Sequence, residues 1–243
     1  VANRKGGVGK TTTVVSLGHG LAIRGKNVLL VDVDPQGHVA TALGMNPESG
    51  LFDLLVGGAR LHNVTREARE HLWLVPGNAR TGTAQTVLVA ERAEDDALAK
   101  ALRRQVTQKL DYIILDTAPS VGRLQEMALW MADWVIVPTA VDFLSSVGIS
   151  ALAEELRRLK AERSWAGRLF GVLPTFYDVV TRESKANLDE LNDAFGPLVL
   201  PPIRRSTALR ECAAMGRSVF EAARNSRPAE EYAALVWRVL DER

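Results

Sequence analysis

The sequence predicts an α/β fold: a single doubly wound, mostly parallel sheet flanked by helices. Three observations point to it. Short β-rich runs alternate with helical periodicity along all 243 residues. Most of those runs are near-continuously apolar, as strands covered on both faces must be. A glycine-rich turn at residues 6–12, GGVGKTT, opens the first helical stretch, giving the strand–loop–helix order of a phosphate-binding loop.

The elements follow in order. Residues 1–2 read as the end of a strand, and residues 11–22 as a helix closed by Gly25, which tolerates left-handed backbone. A strand over 27–33 comes next. Residues 44–82 are the least regular, with short helices and loops around a strand at 72–75. A long helix is expected over 84–105, rich in Ala, Leu and Glu. Strands at 112–116, 134–138, 169–173 and 198–203 alternate with helices at 124–131, 146–160, 185–195 and 228–241. No repeat, low-complexity tract or linker interrupts them, so one domain over 1–243 is expected. Since Val1 falls almost on the loop, a few residues, a start methionine included, are expected before it.

Hydrophobic residues make up 47% and charged residues 24%, a globular balance. No run of eighteen apolar residues appears, and the reading is cytoplasmic. Cys212 is the one cysteine, which excludes a disulfide framework and a cysteine-clamped cluster within the chain. The four histidines, His19, His38, His62 and His71, lack metal-ligand spacing. Net charge is only +1, yet residues 203–227 carry six arginines against Glu211 and Glu221. Such a stretch is either a solvated face or a surface for backbone phosphates.

Gly6, Gly7, Val8 and Gly9 can curl so that successive N–H groups form an anion nest, backed by the positive end of the next helix. Lys10 is placed for β- and γ-phosphates, Thr11 for Mg²⁺ and Thr12 for an inner phosphate. Hydrolysis also needs carboxylates, and two strands end in them. Asp116 closes "YIILD" as the acid that holds a water on the metal. Asp32 and Asp34 close "NVLLVDVDPQG" and project to one side by strand alternation. Asp34 is assigned to orient the attacking water and Asp32 to support the metal shell. Two features of "NRKGGVGKTTT" stand apart. Arg4 occupies the place of the first glycine of G-x-x-x-x-G-K-[ST], and a second lysine, Lys5, precedes the glycines.

"KGGVGKTT", "DVDPQG" and "LDTAPS" resemble the deviant Walker A, A′ and Walker B motifs of the ParA/MinD ATPases. "WVIVPTAVDFLSSVGISAL", "GVLPTFYDVVTRES" and "IRRSTALRECAAMGRSVFE" resemble, in the same order, segments of ParA/Soj partition ATPases. The resemblance spans nearly the whole chain. It implies a deviant Walker A P-loop NTPase using ATP and Mg²⁺, whose two ATP-bound copies form a nucleotide sandwich with Lys5 reaching the partner's phosphates. It implies base recognition at 203–206, where Arg204 and Ser206 stand in place of the more usual Pro and Asn, and where Ala118 replaces a common proline after the Walker B motif.

The resemblance further implies slow ATP hydrolysis stimulated by a ParB-like or other cargo adaptor, and sequence-independent DNA binding through Arg182, Arg204, Arg205, Arg217, Arg224 and Arg227. Plasmid or chromosome partition and protein-assembly positioning both fit, with nucleoid association. Acids at Glu91, Glu94, Asp95 and Asp96 either receive a basic adaptor segment or form an ordinary solvated face. The alternative is a MinD-like membrane cycle, which needs a basic amphipathic C-terminal helix. The C-terminal stretch balances its charges, so its apolar stripe (Tyr232, Leu235, Val236, Val239, Leu240) reads as core and no stable membrane anchor is expected. An iron–sulfur carrier would need a cysteine pair for a bridging cluster, which the single Cys212 does not supply, and three scattered tyrosines with no terminal cluster disfavour a tyrosine kinase.

Overall fold

The computed structural model describes residues 1–103, 109–120, 122–141 and 146–242, with only the backbone described over 146–151. In chain order the elements are α1 (Lys10–Ile23), β1 (Val28–Asp32), α2 (His38–Ala42), α3 (Leu51–Leu55), α4 (Leu61–Val64), β2 (Arg66–Arg69) and β3 (Leu72–Val75). There follow α5 (Ala79–Ala90), α6 (Ala97–Arg103), β4 (Tyr112–Asp116), α7 (Arg123–Met131), β5 (Trp134–Ala140) and α8 (Ser146–Glu162). The chain continues with β6 (Arg168–Thr175), α9 (Arg182–Phe195), α10 (Thr207–Ala214), α11 (Val219–Ala222) and α12 (Arg227–Asp241).

Strand order is β2-β3-β1-β4, with β5 and β6 paired separately. The pairs β1–β3, β1–β4 and β5–β6 are parallel, and only the β2–β3 hairpin is antiparallel. The first residues stitch the two halves together. The Val1 amine donates to Leu115 O at 2.9 Å and the Ala2 N–H to Ile136 O at 3.0 Å. The expected strand end at 1–2 thus lies between β4 and β5. Beyond it, a cavity of about 510 Å³ lies between these strands, walled by apolar side chains such as Leu17, Ile114, Trp134 and Ile136. No residue assigned to the chemistry lines it.

Alternation along β1 shows why the sheet is covered twice. Val28 and Leu30 join a core with Leu17, Leu21, Tyr232 and Val236, under α1 and α12. Leu29 and Val31 join a second core with Leu54, Leu88, Leu102 and Met127, under α3, α5, α6 and α7. Truncating a side chain such as Leu30, which is fully buried, costs about 2–5 kcal/mol.

The structure departs from the expected elements at four places. The 84–105 helix is two: α5 begins earlier, capped by Asn78, and ends where Arg92 turns left-handed (φ 52°) before α6. Gln105 lies outside the described residues. The run 198–203 forms no regular strand, because Pro201 and Pro202 have no N–H to give a ladder. It still flanks β6, with Leu200 N–H on Val172 O and Ile203 N–H on Pro174 O, each 2.8 Å. Within 44–82 the hairpin strand β2 was not expected; its sequence REAR is that of a charged edge strand. Last, α2, α10 and α11 were not anticipated, while the other helices expected with stated bounds match within a few residues.

One buried polar cluster ties α1 to the C-terminal part. His19 Nδ1 lies 2.6 Å from Ser218 Oγ, and its ring meets Phe220 edge-on. Glu221 receives the Ser218 N–H at 2.7 Å and the Arg69 guanidinium at 2.6 Å. Burial holds the His19 imidazole below its ordinary value, opposed by Glu221. A base depressed in the fold binds its proton more readily in the unfolded chain, so stability is present above the unfolded value and lost on acidification. We expect the melting temperature to fall as the pH drops below about 6.5, the ordinary histidine value. His19→Gln should flatten that slope in pH-scanned thermal melts.

Candidate active site

The site is built where β1 and β4 end side by side. Asp32 and Asp116 are register partners on these parallel strands and are 0% and 1% exposed. Parallel strands place their C-terminal ends together, and the loop before α1 passes over them. Gly7 (φ 72°) and Gly9 (φ 87°) take the left-handed backbone that turns N–H groups inward. Gly9 caps α1 with no side-chain bond, which leaves first-turn N–H groups for an anion. A Cβ at Gly6 or Gly7 would meet nothing within 4 Å, so the cradle is open on that side.

Each predicted side chain can then be placed. Lys10 is buried, and its Nζ donates to Lys5 O at 3.0 Å. Burial pulls its ammonium below the usual lysine range, opposed by Asp116 and Asp34. Thr11 Oγ1 donates to Asp116 Oδ2 at 2.6 Å. Burial pushes Asp116 up to about 6, although the Thr11 bond acts against it. Its Oδ1 is buried without a hydrogen-bond partner among the described residues. A hydroxyl and an orphaned carboxylate oxygen side by side are a donor set suited to a hydrated divalent cation. Thr12 is half-buried on the same helix turn and faces a cleft of about 260 Å³ between α1, α2 and α10, with Thr41, Leu209, Cys212 and Arg217.

The two acids of DVDPQG have separate work. β1 ends at Asp32, so Asp34 stands in the following turn rather than on the strand. Both Asp32 oxygens are taken by backbone: Oδ1 accepts from Asp34 N–H at 3.0 Å and Oδ2 from Val39 N–H at 3.1 Å. Burial, then the neighbouring Asp116, pushes Asp32 well above the aspartate range. Its geometry is that of a loop-former, which differs from the metal-shell place expected for it. Asp34 remains partly exposed, and its Oδ1 accepts from Gln36 N–H at 2.9 Å. Gly37 closes the turn at φ 66°, where a Cβ would meet Gly77 O at 2.6 Å.

Sequence reasoning missed the residues that hold the loop in place. Asn3 Nδ2 donates to Pro138 O at 2.8 Å, and its Oδ1 accepts from Lys5 N–H at 2.9 Å. Thr175, ending β6, donates to the carbonyl of the buried Val8 at 2.9 Å. Polar residues at strand ends were the available signal. Lys5 itself is half-buried at the mouth of the loop.

The late segment is more heavily engaged than expected. Arg204 N–H donates to Glu231 Oε2 at 2.9 Å, and its Nε lies 3.5 Å from Glu231 Oε1. Arg205 lies 5.8 Å from the Phe176 ring. Ser206 caps α10 without a side-chain bond. Arg217, Arg224 and Arg227 are exposed on the successive turns joining α10, α11 and α12, and Arg182 is exposed at the start of α9. Three of the acids considered for an adaptor are already neutralised. Asp95 pairs with Arg123 and Arg163, while Glu94 and Asp96 flank Lys100 at 2.6 and 2.9 Å.

A family model described as an AAA domain matches residues 1–165. The chain is 34% identical to the sporulation initiation inhibitor protein Soj of Bacillus subtilis, over 98% of this chain and 96% of that protein. It is also 34% identical to the chromosome-partitioning ATPase Soj of Thermus thermophilus, over 99% and 94%. The chain belongs to the Soj/ParA family of partition ATPases. A crystal structure of cobyrinic acid a,c-diamide synthase from Mycobacterium smegmatis, with a bound ATP analogue and magnesium, superimposes with a TM-score of 0.86. It is 30% identical and covers 99% of this chain and 93% of that one. The Soj/ParA relatives thus cover the downstream half of the chain as well as the phosphate loop.

The buried carboxylate gives a test. Asp116 is harder to charge in the fold than in the unfolded chain, so at neutral pH its charged form subtracts from stability. Asp116→Asn should therefore stabilise the fold by on the order of 1–2 kcal/mol, seen as a higher melting temperature. The same variant should lose divalent-cation-dependent nucleotide turnover. A variant less stable than the parent would contradict this placement.

Proposed function

We propose that this chain is an ATPase that binds ATP with Mg²⁺, pairs with a second copy across the nucleotide, and uses that cycle on DNA to segregate or position a cargo. The observation that carries the reading is the pair of lysines on one glycine nest. Lys10 sits inside the loop over Asp116, and Lys5 stands at its mouth. The nest and the first turn of α1 bind the phosphate chain, and Lys10 swings from Lys5 O to the β- and γ-oxygens. Thr11 and Asp116 are the residues that would hold the metal, which when bound would supply positive charge against the transferred phosphoryl group. Asp34, in a turn braced by Asp32, orients the attacking water. Lys5 of a second copy supplies the last positive charge, so hydrolysis waits for pairing, as with an arginine finger supplied in trans.

Among the arginines, Arg182, Arg217, Arg224 and Arg227 are the primary DNA contacts. Arg204 and Arg205 are secondary, because Glu231 and Phe176 engage them. Contacts to phosphates rather than bases make the affinity independent of sequence and steeply dependent on salt. Association with the nucleoid and stimulation by a cargo adaptor follow from the same reading. Tyr232, Leu235, Val236 and Val239 of α12 are 1–3% exposed, which supports reading the apolar stripe of that helix as core. Among the described residues, no helix is long and apolar enough to cross a membrane.

Lys10→Ala should abolish ATP and ADP binding in titration calorimetry. Lys5→Ala should leave ADP affinity near the parent value and lower turnover roughly a hundredfold or more. In gel shifts with ATP and Mg²⁺, the parent should retard random duplex DNA at low salt. The double variant Arg217→Glu/Arg224→Glu should not, at unchanged turnover. Retention of DNA by that variant would remove the arginine assignment, and ATP-dependent sedimentation with liposomes would restore the membrane reading.

A further inference from the structure

Arg4 stands where the usual phosphate loop has its first glycine, and the proposed chemistry gives it no task. Its Nε and Nη2 both donate to one oxygen of Glu155, at 3.2 and 3.1 Å. Glu155 lies on α8, 151 residues away, with a side chain only 1% exposed. Its other oxygen, Oε1, is buried with no hydrogen-bond partner among the described residues. The neighbours that bring α8 here are apolar: Leu152, Leu156 and Leu159 pack with Ala2, Val135 and Val137. A carboxylate in such company is costly unless a cation meets it, and Arg4 is the cation.

The pair also belongs to a chain of contacts around the next residue. Before Lys5, Asn3 is tied to β5 and Arg4 to α8. The Lys5 N–H is held by Asn3 Oδ1, and the Lys5 carbonyl by Lys10 Nζ. After it come Gly6 and Gly7, both exposed, around which nothing lies within 4 Å of a Cβ position. Lys5 thus follows directly on two residues, Asn3 and Arg4, that are each anchored to a different element of the fold. α8 is itself braced, since Arg158 bonds Glu126 of α7 at 2.8 Å.

We propose that Arg4 and Glu155 form a positioning clamp that fixes the backbone from which Lys5 is presented to the second copy. A charge delivered across an interface must arrive in register, and a small misplacement at the reacting group costs rate rather than affinity. The clamp makes Glu155 of α8 a positioning residue that acts through Arg4 and Lys5. The inference rests on the trans-acting role of Lys5 proposed above, and the test separates the two.

The variant is Glu155→Leu, which suits the apolar surroundings and releases Arg4 to solvent. Glu155→Gln, which keeps an acceptor for Arg4, is the conservative control. Turnover, ADP affinity and melting temperature are measured for each, in the parent and in the Lys5→Ala background. The clamp predicts that Glu155→Leu keeps ADP affinity within about twofold and lowers turnover about tenfold to a hundredfold. Glu155→Gln should fall between it and the parent, and neither should lower the residual rate of Lys5→Ala further. Parent-level turnover in Glu155→Leu overturns the clamp, as does an equal loss in the Lys5→Ala background or a parallel loss of ADP affinity. Parent-level turnover in Lys5→Ala alone overturns the two-copy reading itself, without reference to Glu155.

Discussion

Two carboxylates, Asp32 and Asp116, sit opposite each other on adjacent parallel strands, both out of contact with water. Like charges so placed repel, and burial removes the solvent that would screen them. The rest of the site can be understood as the set of groups that makes this pair tolerable. Asp32 is held by two backbone N–H groups, and Asp116 by the Thr11 hydroxyl under Lys10. One oxygen, Asp116 Oδ1, is left over. That residual demand is what a cation with its waters would satisfy, and it ties binding of the metal to the same strands that build the sheet.

The cost of that arrangement bears on the division of labour proposed for the lysines. Lys10 is already committed to the interior: it is buried, its ammonium is destabilised by burial, and it answers two acids and its own loop. Lys5, by contrast, is half-buried at the mouth of the loop, which is why the proposed reading gives it, and not Lys10, to the second copy. Elsewhere, exposed ion pairs such as Arg157–Glu154 are worth at most about 1 kcal/mol and carry no comparable constraint.

Much of this was legible in the sequence, and the rest failed for identifiable reasons. β3 and β4 fall on their expected bounds because each is a short apolar run ending in a turn or an acid. The phosphate loop was readable because glycine, lysine and threonine at that spacing have few other uses. β2 was not, since a charged edge strand looks like a loop until its partner is known. The break after α5 lies at Arg92, a residue with no turn signal in its chemistry. The partners of Asn3, Glu155 and Thr175 could not be read, because they lie 135 to 167 residues away, although a polar residue at a strand end was a signal for the first and last. The strand alternation used to place Asp34 does not reach it, because β1 ends two residues earlier at Asp32.

The proposed dimer is tested most directly by mixing two inactive chains. Lys5→Ala keeps Asp34 but cannot serve a partner; Asp34→Ala keeps Lys5 but cannot orient water at its own nucleotide. A mixed dimer holds one complete site, with Asp34 from one copy and Lys5 from the other. Equal amounts of the two variants, at saturating ATP and Mg²⁺, should therefore recover about a quarter of the parent turnover per chain. Turnover that stays at the average of the two separate variants would show that Lys5 does not act on the partner's nucleotide.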